Sequence, residues 1–386
     1  MTAPALPDFP WDSLLPAKAR AAEHPDGIVD LSVGTPVDPT PAVVRDALVA
    51  AADSPGYPLT VGTPALREAI CGWFERRRGV PGLTVENVLP TIGSKELVAW
   101  LPTLLGLGAG DRVGIPAIAY PTYDVGARLA RATPVVVDGL AALGPVTPAS
   151  APTLLWLNSP ANPHGAVLPV EHLAKVVAWA RRNGVVVASD ECYAELDWRT
   201  PAQLRETTRG TNRHTTPSIL DPLVTGGDLT GLLAVYSLSK QSNLAGYRAA
   251  FVAGDPALVA MLTETRRHAG MMLPGPVQAA MTVALGDDAH VLEQRERYGV
   301  RRETLRPALE AAGFRVDHSD AGLYLWATRT GADGIGEDCR TTVDWLAERG
   351  ILAAPGDFYG AAGARHVRVA LTATDERIEA AARRLG

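Results

Sequence analysis

The chain has 386 residues, of which 47% are hydrophobic and 20% charged, and its formal net charge is −6. That length exceeds what one small core needs and predicts two domains. The negative balance argues against a nucleic-acid partner, which needs a basic face, and no apolar run approaches the ~20 residues of a membrane-spanning helix.

The N-terminus has no basic stretch followed by an apolar one, so no secretory signal is expected. Cys71, Cys192 and Cys339 form an odd, sparse set without metal-ligand spacing. These features predict a reduced, cytoplasmic protein with no metal site.

Residues 1–41 begin rich in Pro and Ala and predict an arm with a short helix that packs with the C-terminal domain. Residues 42–272 predict the large domain. Helical patterns near Lys95–Leu105, Tyr123–Arg131 and Val170–Asn183 alternate there with the β-rich runs Arg112–Ile115, Thr133–Val137, Leu154–Leu157, Val185–Ser189, Leu233–Ser237 and Ala249–Ala253. Apolar strands without polar alternation, separated by helices, indicate an α/β fold: a mostly parallel central sheet covered on both faces. Residues 273–386 predict a smaller α+β domain. Its elements are a long charged helix over Val291–Ala312, strands at Phe314–Asp317 and Leu323–Ala327, and a helix near Thr341–Arg349. Strands at Ile351–Ala353 and Val367–Leu371 and a last helix from Glu376 follow.

The segment Ser237-Leu238-Ser239-Lys240 through Gly246-Tyr247-Arg248 carries the most chemistry. Lys240 follows an apolar strand, so it faces a crevice at a strand end. Desolvation there lowers an ammonium pKa and makes the amine a carbonyl nucleophile. Arg248 offers a fork of donors to a phosphate, and Ser237 and Ser239 add hydroxyls. An isolated lysine after a strand is ordinarily just solvated; the whole segment is what changes the reading. It resembles the S-x-S-K-x-x-x-x-x-G-x-R signature of fold-type I pyridoxal-phosphate (PLP) enzymes of the aspartate aminotransferase superfamily. The resemblance implies that Lys240 holds the cofactor covalently and that Arg248 binds its phosphate.

The other motifs follow the same family's order. Asp190-Glu191-Cys192-Tyr193, after an apolar run, resembles D-E-x-Y. It implies Asp190 on the ring nitrogen and Tyr193 on the phenolic oxygen. Asn158-Ser159-Pro160-Ala161-Asn162-Pro163-His164-Gly165 resembles N-P-x-N-P-x-G, with the first Asn-Pro split, and implies Asn162 as a second donor to that oxygen and a neighbour of the substrate. Gly93-Ser94-Lys95 opens a predicted helix, where amides of Ser94 and Lys95 and the Ser94 hydroxyl suit a phosphate. Pro116-Ala117-Ile118-Ala119-Tyr120-Pro121-Thr122-Tyr123 resembles P-x-P-x-Y-P-x-Y, with Ile118 replacing the second proline, and implies that Tyr120 stacks on the ring. Tyr57 and the following Gly62 and Leu66-Arg67 resemble a motif whose tyrosine reaches the neighbouring subunit's phosphate, implying a homodimer. Arg368 on a C-terminal strand would clamp the substrate α-carboxylate, and the backbone of Gly34 in Gly34-Thr35-Pro36 would line the substrate pocket.

These resemblances imply ping-pong transamination through pyridoxamine phosphate. Phe9-Pro10-Trp11-Asp12, Asp30 to Pro39, His268 to Met272 and Pro355 to Gly360 further resemble the actinobacterial N-succinyldiaminopimelate aminotransferases of lysine and diaminopimelate biosynthesis. That implies glutamate as donor and N-succinyl-2-amino-6-ketopimelate as acceptor. Both need a cation for a distal carboxylate, and Lys95, Arg266, Arg267 and His268 stand open as candidates. The same cofactor residues would also serve an aromatic, branched-chain or aspartate aminotransferase or a PLP C–S lyase. A dinucleotide-binding oxidoreductase is discounted, because no G-x-G-x-x-G follows the early strands.

Overall fold

The computed structural model describes residues 6–139, 141, 150–200, 202–204, 216–331 and 335–386. The chain opens with a short helix, Leu15–Ala22, and a two-residue strand, β1 (Val29–Asp30). Helices Ala42–Ala50 and Pro64–Trp73 lead into β2 (Val88–Ile92). Then come β3 (Arg112–Ile115), β4 (Thr133–Val136), β5 (Leu154–Asn158), β6 (Val186–Asp190), β7 (Leu232–Ser237) and β8 (Ala249–Gly254). These seven strands form one sheet of order β2-β8-β7-β6-β5-β3-β4. It is parallel except at β8, which runs antiparallel to both β2 and β7.

Strand β7 shows why the sheet needs cover on both faces. All six of its residues are buried. Leu232, Ala234 and Tyr236 point into one core with Trp73, Val177 and Phe251. Leu233 and Val235 point into the other, with Leu101, Tyr123 and Trp156. The two-residue period of a strand sends alternate side chains to opposite faces, and here both faces are dry. Helix Val170–Asn183 covers the first face through Leu173, Val176 and Val177. Helices Ser94–Leu104 and Thr122–Leu129 cover the second through Leu97, Leu101 and Tyr123.

The smaller lobe holds β9 (Phe314–Asp317), β10 (Tyr324–Arg329), β11 (Ile351–Leu352), β12 (Ala354–Pro355) and β13 (Val367–Ala370). Four of them form an antiparallel sheet of order β12-β13-β10-β9, while β11 pairs in parallel with β1. Helices Ala289–Ala311, Cys339–Ala347 and Asp375–Leu385 pack on it, and Leu14, Ala17, Ala21, Val29 and Leu31 lie in the same core. The expected strand Ile351–Ala353 is the two-residue β11, and β12, which follows Ala353 and was not expected, belongs to the other sheet of this lobe. Strand β2 was not expected from sequence. Helix Gly275–Gly286 follows the expected boundary at 272, and its Val277, Ala280 and Met281 belong to the larger lobe's core. Among the described residues no helix is long and apolar enough to cross a membrane.

Candidate active site

Parallel strands leave a crevice beyond their C-terminal ends, and the chemistry gathers there. Asp190 ends β6, and Lys240 sits on a one-turn helix, Leu238–Gln241, directly after β7. A cavity of about 700 Å³ opens between the lobes at this point. Gly34, Ser94, Lys95, Tyr120, Asn162, Asp190, Tyr193, Ser237, Ser239, Lys240, Arg248 and Arg368 all line it. Of the residues expected from sequence, Tyr57 alone lies elsewhere, at the surface and 95% exposed.

Lys240 donates from Nζ to the carbonyl of Gly34. Burial pushes its ammonium below the ordinary lysine value, with nearby Arg368 and Arg248 adding to the depression. Asp190 is 7% exposed, and burial raises its carboxyl pKa. The hydroxyl of Tyr123 donates to its Oδ2 at 2.9 Å and the amide of Cys192 to its Oδ1 at 3.2 Å. Tyr123 is itself wedged against Trp156, the rings stacked 4.9 Å apart. Burial drives the Tyr120 phenol up to about 12.

Arg368 is 3% exposed and donates to Asn162 Oδ1 at 3.2 Å and to the Ser32 carbonyl at 2.7 Å. Its guanidinium carbon stands 3.9 Å from the centre of the Tyr324 ring, and its Nε is buried without a partner. The Tyr324 hydroxyl meets that of Tyr193 at 3.1 Å. It crowds Gly34, where an added Cβ would lie 2.1 Å from that oxygen. Arg368 and Lys240 draw the Tyr324 phenol below its ordinary value although burial opposes this.

A second glycine is fixed by the opposite corner. At Gly93 (φ +86°), which caps helix Ser94–Leu104, a Cβ would stand 2.1 Å from Nη2 of Arg248. Bare backbone, a helix N-terminus and a guanidinium thus meet beside Ser94. Ser237 and Ser239 bond each other at 2.8 Å, and Ser237 also donates to the Ala249 carbonyl at 3.2 Å.

Of the four cations considered for a distal carboxylate, only Lys95 lines the cavity, 5.7 Å from the Phe9 ring centre. Arg266 is held by both oxygens of Glu96 at 2.9 and 3.0 Å. Arg267 and His268 pair with Glu264 on an exposed helix end. Sequence reading missed Tyr123 and Tyr324 in functional contact. The second tyrosine of the Tyr120-Pro121-Thr122-Tyr123 motif was a usable signal for the first; nothing local marks Tyr324.

The donor set fits pyridoxal phosphate. It offers a desolvated amine for the aldehyde, a buried carboxylate for the ring nitrogen, and amide and phenol donors for the phenolic oxygen. The Gly93 corner suits the phosphate, and the orphaned Nε of Arg368 leaves capacity for a carboxylate. A fold and site of this kind define a PLP-dependent transferase.

The comparisons with known proteins agree. The model of the family described as aminotransferase class I and II matches residues 26–385. The "Probable aminotransferase Rv1178" of Mycobacterium tuberculosis is 60% identical over 381 residues, covering 99% of this chain and 85% of that protein. The "4-dedimethylamino-4-oxo-anhydrotetracycline transaminase OxyQ" of Streptomyces rimosus is 56% identical, covering 98% and 99%. Among solved structures, a probable N-succinyldiaminopimelate aminotransferase of Thermus thermophilus superposes with a TM-score of 0.84 at 27% identity, covering 98% and 99%. The chain belongs to the class I and II aminotransferases and is a PLP-dependent enzyme.

Proposed function

We propose that the chain transfers the amino group of glutamate to N-succinyl-2-amino-6-ketopimelate by a ping-pong route. The observation that carries this is the placement of two cations, Arg368 and Lys95, in the cavity of Lys240. Arg368 takes the α-carboxylate beside the reacting carbon. Lys95 takes a distal carboxylate, which both glutamate and this acceptor have. The name of the Thermus protein carries the corresponding amino product, and the "LL-diaminopimelate aminotransferase" of Aquifex aeolicus is 32% identical over 98% of this chain.

When bound, pyridoxal phosphate supplies an electron sink for charge developing at the substrate Cα. Lys240 would hold it through Nζ, and the same amine would take the proton from the substrate Cα. Asp190 pairs with the ring nitrogen, whose positive charge offsets the cost of that buried carboxylate. Asn162 and Tyr193 donate to the phenolic oxygen, and Tyr120 stacks on the ring. Ser94, the Lys95 amide, Ser237, Ser239 and Arg248 hold the phosphate. Gly34 and Asn162 border the substrate. Exposed Tyr57 reaches the phosphate of a second copy, making the working unit a homodimer.

A second reading, transfer to a polycyclic ketone, has one observation in its favour: 56% identity to OxyQ. The half-reaction separates the two. Glutamate added to holoenzyme should bleach the visible band of the lysine-bound cofactor. N-succinyl-2-amino-6-ketopimelate should restore it faster than phenylpyruvate, oxaloacetate or branched-chain keto acids do. Restoration by an anhydrotetracycline ketone alone would favour the second reading. A band that glutamate leaves unchanged removes the donor, and ammonia released from a cysteine conjugate would point to a lyase.

A further inference from the structure

A second group of polar side chains lies behind Lys240, outside the cavity. Ser242 ends the one-turn helix that carries the lysine, its amide donating to the Leu238 carbonyl at 3.1 Å. The Ser242 hydroxyl is 2.8 Å from Nε2 of His290, and Nδ1 of His290 is 3.0 Å from Oδ2 of Asp287. Partial burial works against ionising Asp287, but hydrogen bonds from His290 and the Ala289 amide hold its carboxyl below the ordinary range. An ionised carboxylate only accepts, so Nδ1 carries a proton towards Asp287 while Nε2 meets the serine hydroxyl.

Serine, histidine and aspartate in that sequence are the groups of a hydrolytic triad. Ser242 has 0% exposure and lies outside the lysine cavity's lining, so no ester or amide reaches it. The relay faces outward only at its other end. Asp287 and His290 line a separate cavity of about 370 Å³, together with the charged residues Arg45, Glu293 and Arg297. What the relay reaches inward is the backbone two residues from Lys240.

A one-turn helix has almost no stability of its own, because nucleation is unfavourable. Leu238–Gln241 therefore needs ties from outside. His290 stands at the start of helix Ala289–Ala311, whose Tyr298, Leu305 and Leu309 are set in the smaller lobe's core. The same helix grips the next residue: Asn243 Nδ2 donates to Gln294 Oε1 at 2.8 Å and to the Pro39 carbonyl at 3.2 Å. Asp287 thus orients a histidine that anchors the lysine's helix to the longest helix among the described residues.

We infer that His290, oriented by Asp287 and acting through Ser242, is a positioning residue for Lys240. This rests on Lys240 being the cofactor residue. Ser242→Ala and His290→Ala in the holoenzyme should each lower kcat by about ten- to a hundred-fold, the range expected of a small displacement at a reacting group, with KM nearly constant. Both should shift the pH midpoint of the visible band of the lysine-bound cofactor, which loss of general stability alone would not do. The double variant should match the worse single variant, because both changes break one tie. His290→Gln, which can still offer Ser242 an amide oxygen, should recover part of kcat and of the midpoint. If His290→Ala fails to fold, Ser242→Ala and Asp287→Asn carry the test, the aspartate side chain being 32% exposed. Additive losses, or an unmoved midpoint and kcat in Ser242→Ala, would overturn the inference. A wild-type holoenzyme with no visible band would strike Lys240 itself, and the relay with it.

Discussion

Lys240 concentrates the chemistry in one atom, and its burial sets how that atom titrates. With its ammonium pKa depressed below 10.5, the neutral amine becomes available as pH rises through that lowered value. Capture of pyridoxal phosphate by the apo chain should therefore accelerate with a midpoint below 10.5; a stopped-flow midpoint at or above that value would contradict the burial argument. Lys240→Ala should abolish turnover, and measurable steady-state transamination by that variant would count against its role. Tyr123→Phe deletes one hydrogen bond to a buried carboxylate and nothing else. Such a bond contributes about 1.5–3 kcal/mol, so the variant should retain cofactor about ten-fold or more less tightly after dialysis. Lys240 and Asp190 are legible in the sequence because each stands in a motif that resembles an aminotransferase signature and follows an apolar run, and strand ends are where such residues meet a crevice. Tyr324 is not, because its significance comes from Gly34, Tyr193 and Arg368, which reach it from distant parts of the chain.

At the scale of elements, the hydrophobic pattern carried most of the larger lobe. β7 and β8 read as uninterrupted apolar runs because both of their faces are covered. β2 escaped notice because its Val-Leu-Pro-Thr-Ile run includes a proline, which ordinarily demotes a strand. Here it is an edge strand paired only with β8, where a missing N–H is tolerated. The helices that periodicity placed lie within about two residues of where it put them, the usual fraying of such boundaries, whereas helices Ala42–Ala50, Pro64–Trp73, Pro256–His268 and Gly275–Gly286 had not been placed from sequence. Phe251 on β8 has 0% exposure and meets the Trp73 and Tyr236 rings at 5.6 Å each. Phe251→Ala should cost about 3–5 kcal/mol of stability in a denaturant titration, since the rigid rings around it cannot collapse into the void.

For the whole molecule, the junction between the lobes sets an acid limit. His164, on the Asn162-Pro163 loop, faces His318 with ring centres 5.0 Å apart, and its carbonyl accepts from the Ser319 amide at 3.0 Å. Burial, then the neighbouring His318 and His366, pushes the His164 pKa down to about 4 from 6.5. Between those values the unfolded chain binds a proton that the folded chain refuses, so stability declines as pH falls from 6.5 towards 4. The melting temperature should drop over that interval, and His164→Gln should flatten the drop; an identical slope in both proteins would refute this origin.

The pairing of β1 with β11 has a consequence in time. Val29 and Asp30 leave the ribosome long before their partners Ile351 and Leu352, which lie in the other lobe's stretch of sequence. The seven-stranded sheet uses nothing beyond β8 and its core nothing beyond helix Gly275–Gly286, so the larger lobe can assemble while the rest is still being translated. β1 must wait, unpaired, until β11 has been made. During that interval Leu14, Val29 and Leu31 lack most of the core they occupy in the fold, and their apolar surface is open to other partners.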